Sequence, residues 1–379
     1  MLTKTAFRIM LHEKGKYAGV VIGVAMALFL VLLQTGFYLG FRRDITVVAD
    51  SFDADLWVSA RELLTYDYVA HFDDLARWQV LEDMDVKAAS GIITEWVRFR
   101  RAVDGATDSA QVLGIDLTEG VPIQLGTDIS PDLISALGVP GNLLVDEKHV
   151  ERVGRLHTAE PGVEIRGLHA NIVGVMKGKK LFTTACLFVT DLDNARRFLD
   201  FPVNRISFIA VKCRDGVDVC TVKNRLQTRL PENRVWTARE FHNLTQNYWA
   251  KLTGIGPLLL LSAGLAALVG FLTVFLTFAH LTSEKLPVYA AMKAMGASNT
   301  ELSAIVLLQI GLVFGTGSLL AVVGVGLTLV VLSTTTISVM LTPSIALLGF
   351  GFMGVCAAGA GWKSLRSLSK VEPAEAFRV

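Results

Sequence analysis

Ionisable residues are missing where the chain is most apolar. Residues 252–279 contain no Asp, Glu, Lys or Arg, and residues 302–362 contain none of these and no His. A proton or ion relay needs such groups inside the membrane, so their absence counts against that class of transporter. Signatures of self-contained chemistry are missing too. No G-x-x-x-x-G-K-[ST] loop is present, residues 174–180 (GVMKGKK) being merely rich in glycine and lysine, so the chain does not hydrolyse ATP by itself. Neither H-E-x-x-H nor G-x-S-x-G occurs. The 7 histidines are scattered and the 4 cysteines lack zinc-site spacing. No catalytic residue, metal or cofactor is expected on this chain, and nucleic acid is not among its expected partners.

Long apolar runs are abundant. The 379 residues are 52% hydrophobic, with a mean hydropathy of +0.47. A span needs about 20 apolar residues. Residues 17–39 form one run and 252–281 a second, while the 61 residues of 302–362 are too long for one span and suit two, broken near Ser333–Thr336 and Thr342-Pro343. The fold class expected is therefore a membrane protein with four transmembrane α-helices, one early and three late, and a large mixed α/β domain inserted between the first and second. Lys4, Arg8, Lys14 and Lys16 precede the first run, and Lys363, Arg366, Lys370 and Arg378 follow the last. Positive charge marks the cytoplasmic side. Both termini and the 282–301 connection are thus expected in the cytoplasm, and the inserted domain outside. At more than 20 residues the first apolar core exceeds the roughly 7–15 of a cleavable signal.

The expected organisation is a cytoplasmic amphipathic helix at 1–16, with Lys4, Arg8 and His12 on one face, and then a first span and stalk at 17–50. The α/β domain follows at 51–236, with room for two subdomains. A stalk and second span occupy 237–281, a cytoplasmic helix 282–301, the third and fourth spans 302–362, and a cytoplasmic tail 363–379. Thr237 with Glu240 fits a capping box. A helix running from 238 to 281 would be about 66 Å long, with the surplus over a bilayer standing as a stalk.

Within the inserted domain, strands are predicted at 55–60, 91–100, 110–115, 141–145, 170–175, 186–189 and 205–212, and helices at 72–81, 192–199 and 217–230. Cys213 and Cys220 flank a short turn and are either a disulfide or two unpaired residues. Arg98, Arg100 and Arg101 read as a solvated strand face in preference to a site for an acidic partner. In the spans, Gly19-x-x-x-Gly23, Gly36-x-x-x-Gly40 and Gly311-x-x-x-Gly315 allow close helix approach, within one subunit or between two. Gln34 and Gln309 suit helix–helix hydrogen bonds.

The segment 282–299 (TSEKLPVYAAMKAMGASN) reads as an ordered helix between two spans. Thr282 and Ser283 are N-cap candidates, and Glu284 suits the positive helix end. Pro287 is tolerated near a helix start, and Gly296 stops the run.

This layout resembles that of the MacB/FtsX-type ABC permeases. The residues that carry the resemblance are 284–298 (EKLPVYAAMKAMGAS), similar to an E-x-A-x-L-K-A-x-G-A-S segment, and 370–378 (KVEPAEAFR), similar to a P-x-x-A-h-R ending. Pro287 and Tyr289 stand where small or aliphatic residues are usual. By length and by its N-terminal residues the chain is most similar to the DevC-type, which lacks a fused ATPase. The resemblance implies a bacterial inner-membrane exporter permease that dimerises with a second copy. It implies a separate ABC ATP-binding subunit carrying ATP and magnesium, a membrane-fusion adaptor and an outer-membrane channel. Glu284, Lys285, Val288, Tyr289, Met292, Lys293, Met295 and Gly296 would receive the ATPase stroke, and an amphipathic or lipidic substrate would be expelled from the periplasmic side by mechanotransmission. The alternative is an FtsX-like regulator that moves nothing and activates a periplasmic hydrolase.

Overall fold

A first helix, α1 (Lys14–Asp44), opens the computed structural model, which describes residues 14–369 apart from 103, 118–119, 125, 127–130, 154–161, 178–180, 184, 334 and 336–337. The predicted helix at 1–16 and the 370–378 ending lie almost wholly or wholly outside the described residues. After α1 come β1 (Leu56–Ala60), β2 (Phe72–Asp73), α2 (Leu75–Leu81), β3 (Val86–Arg101), β4 (Thr107–Ile115), α3 (Pro131–Leu137), β5 (Asn142–Asp146), α4 (Val150–Val153), β6 (Gly162–Ile165) and β7 (Leu168–Met176). Then follow β8 (Cys186–Asp191), α5 (Leu192–Leu199), β9 (Arg205–Ile206), β10 (Phe208–Cys213), α6 (Val219–Arg229), β11 (Asn233–Thr237), α7 (Ala238–Asn247), α8 (Ile255–Ala294), α9 (Asn299–Ser333) and α10 (Pro343–Ser369). The chain divides into a helical unit of residues 1–40, 257–333 and 339–379, and a second unit of residues 41–256 and 334–338.

The helical unit holds segments of α1, α8, α9 and α10, all long and apolar enough to cross a membrane. Its core follows helical spacing. Tyr17, Val20, Val24, Leu28 and Leu32 make one stripe of α1, which joins Val274 and Phe278 of α8, Val313 and Ala321 of α9, and Met353 and Ala357 of α10 in a single cluster. The two polar groups among these spans pair across helices as expected. Ser262 Oγ donates to Gln34 Oε1 at 3.3 Å, and Tyr289 Oη donates to Gln309 Oε1 at 3.0 Å.

The second unit is built on one nine-stranded sheet in the order β11-β1-β10-β3-β4-β8-β5-β7-β6. The 16-residue β3 organises it. Residues 86–92 pair with β10, residues 92–100 pair with β4 on the other edge, and Phe99 to Arg101 pair with β6. This last pairing closes β3-β4-β8-β5-β7-β6 into a ring. The ring and the β11-β1-β10 strands therefore share β3. The sheet has a buried cluster on each face: Trp57 stacks on Phe241 at 4.6 Å in one, and Phe99 meets Phe188 edge to face in the other.

All the predicted strands and helices of this domain are present with shifted ends, except that residues 72–73 are a short strand, β2, ahead of α2, and that 205–212 is split into β9 and β10. Strands β6 and β11 and helices α3 and α4 are additional. Arg98 and Arg100 lie exposed on β3 between buried Val97 and Phe99, with local partners in Thr107 and the Gly105 carbonyl, which is the solvated face expected. The Thr237–Glu240 capping box is formed, with Glu240 N donating to Thr237 Oγ1 and Thr237 N donating to Glu240 Oε2.

Cys213 and Cys220 are free thiols, Cys213 ending β10 facing the core while Cys220 lies exposed in the first turn of α6. One expectation needs correction: the helix running from 238 to 281 is interrupted. After α7 the chain makes a π-helical turn at Tyr248–Leu252, and α8 starts afresh at Ile255. Gly254 adopts φ +79°, a left-handed conformation that ends a helix, and a Cβ on Gly256 would fall 1.9 Å from the Ala250 carbonyl oxygen. At the other end, α1 stops at Asp44, within the span and stalk expected at 17–50.

Candidate coupling site

The segment 282–296 does not begin a helix of its own. Helix α8 runs unbroken from the second apolar run through Thr282 and Ser283 to Ala294, so neither residue is an N-cap. Ser283 Oγ instead donates to the Ala279 carbonyl one turn back, at 2.9 Å. Pro287 lies inside the helix, where its ring removes one backbone donor.

The end of α8 is closed by a Schellman pattern. Ala297 N donates to the Met292 carbonyl and Gly296 N to the Lys293 carbonyl, both at 3.0 Å, with Gly296 at φ +99°. One residue on, Ser298 starts α9 with a second capping box. Glu301 N donates to Ser298 Oγ at 3.3 Å, and Ser298 N donates to Glu301 Oε2 at 2.9 Å. Sequence reading passed over this cap, although the S-x-x-E signature of Ser298 and Glu301 is legible. The α8–α9 connection is thus a tight corner with both ends fixed.

Helical geometry sorts the eight predicted coupling residues onto two faces. Glu284, Val288 and Met295 are exposed, Met295 by 80%, and form a stripe with Ala291 at spacings of three and four. Lys285 and Tyr289 are buried, and Met292 packs against the helical core. Lys293 is half-buried, and Gly296 serves as the turn. Tyr289 is 2% exposed, and burial, with the neighbouring Tyr17 second, pushes its hydroxyl pKa above the ordinary value. Its bond to Gln309 ties the α8 extension to α9. Glu284 is anchored to α1: Lys16 Nζ lies 3.0 Å from its Oε2, and His280 Nε2 lies 3.4 Å from its Oε1. The corner is therefore joined by side-chain contacts to α1 and α9.

The glycine motifs also separate. A Cβ at Gly36 would meet Val339 at 2.7 Å, and one at Gly23 would touch Thr273 at 3.4 Å, so these two pack within the unit. Gly19, Gly311 and Gly315 have nothing within 4 Å. Gly40 is buried at the outer part of α1. The tightest helix approaches use glycines outside the motifs, with Gly317 against Val24 and Gly349 against Leu32, both at 2.8 Å.

Two family models match successive parts of the chain. Residues 17–229 match the family model of the MacB-like periplasmic core domain, and residues 260–373 match that of the FtsX-like permease C-terminal region. No curated protein matches the chain. Among solved structures, it is similar to the periplasmic region of MacB from Actinobacillus actinomycetemcomitans, at 12% identity and a TM-score of 0.38 over 54% of this chain and 96% of that one. Similarity to the extracellular domain of the ABC-type transporter YknZ from Gram-positive bacteria is at 12% identity and a TM-score of 0.35, over 48% and 99%. A domain of a putative permease protein from Porphyromonas gingivalis aligns at 15% identity and a TM-score of 0.31, over 49% and 89%. The periplasmic-core match alone takes in more than half of the 379 residues. With both family regions matched in order along a chain that carries four helices of membrane-crossing length, the protein belongs to the MacB/FtsX family of ABC transporter permeases, as a multi-pass inner-membrane subunit with a periplasmic domain.

Proposed function

We propose that this permease is the membrane subunit of an exporter of the DevC-type, driven by a separate ABC ATP-binding subunit that carries the ATP and magnesium. It works as a dimer of two copies, with a membrane-fusion adaptor and an outer-membrane channel completing the export path. The stroke enters through the exposed stripe of Glu284, Val288, Ala291 and Met295, on the cytoplasmic side. The observation that supports this reading best is the two-faced end of α8, which leaves Val288 and Met295 exposed while Tyr289 is locked into the bundle. Met295 lies ten residues past the end of the candidate span, and large exposed apolar side chains beside a charged residue at a helix end suit a protein interface. Because the spans carry no charge over 302–362, the stroke is transmitted as helix movement. An amphipathic or lipidic substrate is then expelled from the periplasmic side without passing through a polar channel.

The test is ATPase stimulation in a complex reconstituted with the cognate ATP-binding subunit. Val288→Asp and Met295→Asp each place a charge at the interface centre and should reduce stimulated turnover by about tenfold or more, since desolvating one unpaired charge costs more than the 1.4 kcal/mol that a factor of ten represents. The melting temperature of the isolated permease should hold, because both residues are exposed. Full stimulation in both variants would remove the stripe as the contact. Loss of substrate efflux together with ATPase stimulation distinguishes an exporter from an FtsX-like regulator of a hydrolase, which would lose hydrolase activation instead.

A further inference from the structure

The periplasmic domain carries a cleft that the coupling reading does not use. It has a volume of about 420 Å³ and lies between the 62–71 segment and the Thr94–Trp96 stretch of β3. Its lining includes three carboxylates, Glu62, Asp67 and Glu95, and no Lys or Arg. Apolar bulk comes from Leu64, Tyr68 and Trp96, which are 60%, 53% and 37% exposed.

The carboxylates are held in place and poorly neutralised. Asp67 is only 8% exposed, and Trp249 Nε1 donates to its Oδ2 at 2.7 Å. The backbone carbonyl of Asp67 accepts from Trp96 Nε1 at 3.2 Å, which fixes the loop against β3. Among the described residues Asp67 has no cationic partner, and neither has Glu62. Glu95 faces only His71, at 2.9 Å. Burial pushes the Asp67 carboxyl up to about 6, the response of a carboxyl that no positive charge compensates. A buried carboxylate at a cleft lined by two further carboxylates, with His71 as its one basic residue and two aromatic rings beside it, is a combination that a ligand cation would complete. Ammonium groups are attracted both to carboxylates and to the faces of Tyr and Trp.

We propose that this cleft binds an organic cation, an ammonium group joined to a compact apolar body, with the charge among Glu62, Asp67 and Glu95 and the body against Leu64, Tyr68 and Trp96. An anion is disfavoured by the same three carboxylates, and an inorganic cation would leave the aromatic walls uncovered. The volume suits a molecule of side-chain or small-amine size. This proposal does not rest on the export reading, because binding is measured without nucleotide or ATPase.

The test uses the full chain in zwitterionic lipid nanodiscs and the probe benzyltrimethylammonium, followed by calorimetry and tryptophan fluorescence. Saturable binding with a Kd on the order of 1 mM or tighter is expected for a probe of this size, with no binding of benzenesulfonate, which has the same ring and the opposite charge. The double variant E62Q/E95Q should weaken binding by tenfold or more, while Glu232→Gln, outside the cleft, leaves it unchanged. Should the double variant fail to fold, Tyr68→Leu at its half-exposed site should weaken binding severalfold. Non-saturable binding, equal binding of benzenesulfonate, or unchanged affinity in E62Q/E95Q or Tyr68→Leu would overturn the proposal.

Discussion

Asp67 shows how much one residue can reveal about its surroundings. Its carboxyl is raised from 3.8 to about 6, mainly by burial and against the opposing effect of the Trp249 hydrogen bond. The folded protein therefore holds this proton more tightly than the unfolded chain does. The resulting stabilisation is complete below pH 4 and is lost as pH rises through about 6, with no further change above. A shift of this size corresponds to about 3 kcal/mol at most. Asp67→Asn cannot ionise, and its amide oxygen can still accept from the indole. Compared with the wild type, D67N should melt at the same temperature near pH 4 and higher at pH 7.5. A melting-temperature difference that stays constant between pH 4 and pH 7.5 would show that Asp67 titrates normally. None of this was legible in the sequence, where Asp67 is one acid among 35 Asp and Glu residues. Its shift arises from burial, in a pocket where its hydrogen-bond partner, Trp249, comes from 182 positions away in the chain.

At the scale of elements, the corner between α8 and α9 was the best-read part of the chain, and its start the worst. Gly296 as a stop was legible because a positive φ leaves glycine few competitors, and the structure puts φ at +99° there. The start was misread because Thr282 and Ser283 are good caps by type, but apolar packing on both sides carries the helix through them. Pro287 argued for a nearby helix start, yet one missing hydrogen bond does not break a helix held by Tyr289 and Met292 in the core. The sheet was legible strand by strand, whereas the closure of β6 on β3 was not, since short strands such as Gly162–Ile165 carry little pattern of their own. Gly296→Ala tests the corner directly. No atom lies within 4 Å of the added methyl, so the cost is conformational, about 1 kcal/mol. Hydrogen exchange should accelerate across 293–301 and stay unchanged in β3. Unchanged exchange at the corner would show that the Schellman turn is not what holds it.

For the molecule as a whole, the glycines decide which faces are spent on folding and which remain for a partner. Within one subunit, Gly317 lies so close to Val24 and the Val21 carbonyl that an added Cβ would collide with both, and Gly349 packs against the Leu32 side chain, so those faces are committed to the four-helix core. Gly311 and Gly315 sit one turn apart on α9 with nothing near either, and the candidate span in α8 is only 11% buried. Four helices make a thin bundle, and membrane helices associate through small residues that let backbones approach. The proposed dimer therefore has surface available that the subunit does not need. Gly317→Leu should unfold the bundle, because its side chain collides with Val24 and the Val21 carbonyl. Gly311→Leu and Gly315→Leu should leave the melting temperature of the subunit in place, since each added side chain enters open space. If α9 forms the dimer seam, these two variants should shift the protein from dimer to monomer in single-molecule photobleaching within nanodiscs. Retention of the dimer by both, with Gly317→Leu unfolded as expected, would move the seam to the exposed face of α8, whose Leu261, Leu265, Leu268 and Leu272 are the next surface large enough to supply it.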